Sequence, residues 1–64
     1  MTDRDLLVAA YRNRLPDVAL DVGVSVTALV TRLMRVLRDP ATAPSVEVDA
    51  LRARVARQRA VRTR

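Results

Sequence analysis

Apolar residues recur at helical spacing in four stretches of the chain, and the polar, glycine and proline positions between them mark where each stretch must stop. Over residues 3–13, Leu6, Leu7, Ala10 and Tyr11 form a stripe that predicts a first helix with one buried face. Thr2 or Asp3 can cap its start, and Asp3 and Asp5 suit its positive end. After the short connection Asn13-Arg14-Leu15, Pro16 stands where a missing amide proton is tolerated, in the first turn of a second helix over 16–22. A third helix over 26–38 turns Leu29, Leu33, Val36 and Leu37 inward. Pro40 and Pro44 forbid its continuation. A fourth helix begins near Ser45, with Glu47 and Asp49 in its first turn, and reaches about residue 61. Its apolar series Val48, Leu51, Val55 ends where Gln58 and Arg62 interrupt it. The pattern predicts an all-α chain: a small trihelical unit over 1–39, a proline-containing linker over 40–44 and a basic amphipathic C-terminal helix over 45–64.

The connection between the second and third helices carries the most specific pattern. Gly23 is the only glycine, and it falls where the second helix must end in a positive-φ conformation that a side chain resists. Ala19, four residues earlier, is small enough for a close crossing. Val24 is expected to point back under the two helices, and Ser25 to cap the third. A small residue, three more, a glycine, an apolar residue and a capping serine is the spacing of a helix-turn-helix.

Residues 15–38 resemble the DNA-binding helix-turn-helix of sigma factor region four and of LuxR-type regulators. The matching residues are Ala19, Gly23-Val24-Ser25, Ala28-Leu29 and Arg32-Leu33-Met34-Arg35. Ala28 stands where those families usually place threonine, and Val30 where they place a polar or basic residue. The resemblance implies a trihelical fold whose third helix reads the major groove of double-stranded DNA.

Composition narrows the remaining options. With 64 residues and Tyr11 as the sole aromatic, the core must be built from leucine, valine and alanine. Neither cysteine nor histidine is present, so disulfides and Cys/His zinc sites cannot reinforce it. A second chain is a natural source of the missing stability, with a dimer favoured. The apolar edge Val48, Leu51 and Val55 is the sequence's candidate for that contact. No apolar stretch reaches membrane-spanning length and the N-terminus lacks the features of a secretory signal, so a cytoplasmic, nucleoid-associated protein is expected. The net charge of +5 is uneven. Residues 1–50 hold six arginines against seven acids, whereas residues 51–64 hold six arginines and no acid.

The chemistry in view is recognition. On the third helix Thr27 and Thr31 can hydrogen-bond a base edge or phosphate, Val30 can pack on a thymine methyl, Arg32 and Arg35 can reach guanine or the backbone, and Arg38 is expected on phosphate. Ser25 lies at the helix start that enters the groove. Arg52, Arg57 and Arg59 on the fourth helix are candidates for phosphate contacts. A rival use of the same helix is protein binding, through Val26, Val30 and Met34 at spacing four. Catalysis has no support: the chain has no Cys, His or Lys, no glycine-rich phosphate loop and no cofactor motif. The expectation is therefore a sequence-preferring DNA-binding protein, a small transcriptional regulator or phage-type control factor. The alternatives are an adaptor for a machine such as RNA polymerase or terminase, and a nonspecific nucleic-acid binder.

Overall fold

The computed structural model describes residues 1–62, and its elements are four helices: α1 (Asp3–Tyr11), α2 (Leu15–Val22), α3 (Val26–Arg38) and α4 (Val46–Arg62). Local chemistry sets each boundary. Thr2 and Asp5 form a reciprocal capping box at α1: the Thr2 hydroxyl accepts from the Asp5 amide at 3.1 Å, and the Asp5 carboxylate accepts from the Thr2 amide at 3.2 Å. The Thr2 amide first, and then the Thr2 hydroxyl beside it, hold the Asp5 carboxyl below its ordinary pKa. α1 ends two residues before the expected boundary because Asn13 adopts φ +57°. The Asn13 and Arg14 amides then turn back to the carbonyls of Ala10 and Ala9, at 3.1 and 2.8 Å, in a Schellman closure.

Ser25 caps α3 and Ser45 caps α4, each hydroxyl accepting an amide three residues on at 3.1 Å. The connection between these helices is tied by short bonds. Asp39 accepts from the Ala41 amide at 2.9 Å, and the Thr42 hydroxyl donates to the Val36 carbonyl at 2.6 Å.

Leu6 at 0 % exposure is the centre of the core, surrounded by Leu7, Ala10, Ala19, Leu29, Leu33, Leu37, Val48 and Leu51. All four helices contribute. The boundary that the linker suggested between a trihelical unit and a separate fourth helix is thus crossed by the core itself. α4 folds back onto α1 and α3 of its own chain. Val48 and Leu51 are buried there and Val55 packs half-buried against them, so the edge expected to serve self-association closes a single chain instead. Two further expectations change. Tyr11 is 41 % exposed, being the last residue of α1 and beyond the reach of the core. Val24 is also 41 % exposed, because the turn is closed by backbone bonds to Ala19 and Val24 stays on its outer side.

Candidate nucleic-acid interface

The turn that presents α3 is built from backbone. Gly23 ends α2 at φ +79°, and the amides of Gly23 and Val24 both donate to the Ala19 carbonyl, at 2.9 and 3.1 Å. One carbonyl thereby satisfies two donors, and the chain reverses within three residues before Ser25 opens α3. Ala19 is buried at this crossing, as its small side chain requires.

On α3, Leu29, Leu33 and Leu37 face the core, and the surface opposite them exposes Thr27, Ala28, Thr31, Arg35 and Arg38. No residue of Val26–Arg38 is acidic. The Thr31 hydroxyl donates to the Thr27 carbonyl at 2.9 Å, which fixes its proton inward and leaves its oxygen lone pairs as acceptors. The Ser25 oxygen accepts the Ala28 amide, so its own proton remains a donor for an approaching phosphate.

The structure separates the expected basic contacts into three kinds. Arg35 and Arg38 are exposed on α3 and carry its free positive charge. Arg32 is half-buried at the edge of that face, paired with Asp3 at 2.9 Å and donating to the Met1 carbonyl at 3.2 Å. Its charge is partly balanced by that partner. Arg52 serves the fold, since its Nε donates to the Leu37 carbonyl at 3.0 Å and its Nη2 to the Asp39 carbonyl at 3.4 Å, closing the C-terminus of α3. Its expected role as a phosphate contact gives way to that of a helix cap. Arg57 and Arg59 are exposed on α4, and of the two it is Arg59 that borders the same cleft as Arg38 and Met34. Arg64 lies outside the described residues.

Sequence reasoning passed over Arg54, which donates to the Ala10 carbonyl at 3.3 Å and to the Asn13 side-chain oxygen at 3.4 Å. It closes α1 as Arg52 closes α3. Nothing local distinguishes these two arginines from Arg57 or Arg59, because the carbonyls that they meet are 13 to 44 residues away in the chain.

Val26, Val30 and Met34 do not form an isolated ridge. They line one side of an open groove of about 450 Å³, whose other walls are Leu15 and Pro16 of α2 and Leu51, Val55 and Gln58 of α4. The groove lies on the flank of α3, and Thr27, Thr31 and Arg35 are outside it. Among the described residues there is no cluster of metal-ligating side chains, and no helix is long and apolar enough to cross a membrane. Compared with known proteins, the chain matches no family model, no curated protein and no solved structure.

Proposed function

We propose that the chain binds double-stranded DNA with sequence preference, α3 being the helix that enters the major groove, and that it acts as a small transcriptional regulator or phage-type control factor on nucleoid DNA. One observation carries this reading: a tight turn presents an exposed face of α3 that holds Thr27, Ala28, Thr31, Arg35 and Arg38 and no acid. Thr31 offers an acceptor to a base amino group, and Arg35, one turn further, offers paired donors to guanine. Arg38 and Arg59 flank the same cleft and supply phosphate contacts, with Arg57 on the exposed surface of α4 adding to the field of the tail. The resemblance of residues 15–38 to sigma factor region four and LuxR-type helix-turn-helices points the same way.

The test is selection from random duplex DNA at physiological salt, followed by titration of the enriched site and of an unrelated duplex. Thr31→Ala and Arg35→Ala are expected to weaken the enriched site by about 1–3 kcal/mol and the unrelated duplex much less. Removal of residues 57–64 is expected to weaken both alike and to flatten the salt dependence. A pool without enrichment would favour nonspecific binding, and a pool without retention would remove the reading.

A further inference from the structure

α2 presents to solvent its largest exposed apolar side chain beside two acids. Leu20 is 83 % exposed, and Asp17 and Asp21, four residues apart and side by side on the helix, lie next to it on one side. Neither carboxylate has an ion-pair or hydrogen-bond partner among the described residues, while Asp3, Asp5 and Asp39 each have one. Such a face suits DNA poorly, since two carboxylates beside a phosphate backbone repel it. An exposed leucine with two acids along one side is suited instead to an apolar recess with a positive edge.

Such a recess lies among the described residues. The groove beside Val26, Val30 and Met34 runs on past Met34 and Val55 into a second hollow edged by Arg38, Arg52 and Arg59. Arg54 stands on the wall of the first part. No acidic residue lines either part. The floor is therefore apolar and every charge around it is positive, the complement of the α2 face in both respects.

We propose that the occupant of this groove is α2 of a second copy of the same chain, with Leu20 seated on the floor near Val30 and Met34 and with Asp17 and Asp21 against the arginine rim. Leu15 and Pro16, in the first turn of α2, form part of the groove wall. Donor face and acceptor groove are thus neighbours on one surface, the condition under which a two-fold axis lets each chain supply both at once. Reciprocal docking doubles the contact, and a stable interface of ordinary size needs about 800 Å² from each partner, out of 4867 Å² exposed by this chain. Thr27, Thr31 and Arg35 stay outside the groove, so the dimer leaves their part of α3 open, while Arg38 and Arg59 on the rim exchange phosphate for the carboxylates of the second copy. The inference does not depend on DNA binding, because both surfaces belong to the free protein.

The experiment is sedimentation of the full chain without DNA, from about 1 to 500 µM, at low and high salt. The wild type is expected to shift from monomer to dimer across that range, with the dimer weakened by salt. Leu20→Ser, at an exposed position, is expected to weaken dimerisation at least about tenfold while leaving the circular dichroism of the dilute monomer unchanged. The decisive arm uses two charge-reversed variants, Asp17→Arg with Asp21→Arg, and Arg38→Glu with Arg59→Glu. Each alone is expected to stay monomeric, and their equimolar mixture to form a heterodimer, because mixing restores complementarity between the reversed surfaces. A wild type that is monomeric throughout would overturn the proposal and leave the groove to a foreign partner. A dimer indifferent to Leu20→Ser, or reversed variants that do not pair on mixing, would overturn it by placing the contact elsewhere.

Discussion

Gly23 adopts φ +79°, yet a Cβ built on it would have no atom within 4 Å. The turn is therefore demanding in conformation and undemanding in space. An alanine there meets backbone strain without crowding of its Cβ. Gly23→Ala is expected to destabilise the fold by about 1–2 kcal/mol, and Gly23→Asn by less, since asparagine tolerates the left-handed region. Thermal melts of the two variants check the order, and equal losses would mean that the site is sterically closed. The arginines divide at the same scale. Arg52→Ala removes the bonds to the Leu37 and Asp39 carbonyls and is expected to cost about 1 kcal/mol of stability with little direct effect on DNA affinity. Arg38→Ala, at an exposed position, should do the reverse. Paired melts and DNA titrations distinguish a capping arginine from a contacting one, a distinction that residue type does not make.

At the scale of the element, Thr2, Ser25 and Ser45 cap the starts of α1, α3 and α4, whereas α2 opens without a side-chain cap and has Pro16 in its first turn. The Asp5 carboxyl is held below its ordinary pKa by the amide and hydroxyl of Thr2. A depressed carboxyl stabilises the fold above its unfolded pKa, and that contribution is lost as the pH falls from the ordinary aspartate range through the folded value. Thr2→Ala is therefore expected to lower the melting temperature at neutral pH and to reduce its fall under acid conditions. Melts across the acid limb test this, and an unchanged acid slope would mean that other carboxylates dominate. The limits of α3 were legible in the sequence, from Ser25 at one end to Asp39 and Pro40 at the other. The end of α1 was less so, because both Arg12 and Asn13 are compatible with a helix and only the left-handed turn at Asn13 stops it.

At the scale of the whole molecule the four helices share one core, in which Val48 and Leu51 lie with Leu6, Leu29 and Leu33. Leu51 is 3 % exposed within a single chain, so Leu51→Ala is expected to cost about 2–5 kcal/mol. The loss should already be present in dilute, monomeric protein, which a melt at about 1 µM checks. A fragment of residues 1–39 should lack a cooperative melt, since α4 supplies the cover over Leu6. A cooperative transition in that fragment would show that α4 is dispensable to the core.

Helix number, the proline break and the Gly23 turn follow from the sequence alone, because periodicity, capping and φ preference act over a few residues and need no distant partner. The same short-range rules give α3 its exposed face free of acids, the feature on which the proposed DNA binding rests. They could not decide where α4 goes, since Val48, Leu51 and Val55 make the same apolar stripe whether they meet their own chain or another. Nor could they show that Arg52 and Arg54 cap helices, that Asp3 takes up Arg32, or that Leu20 is left outside the core. Those assignments depend on which carbonyls, carboxylates and side chains the packing of four helices brings within a few ångströms, and that proximity is a property of the tertiary structure alone.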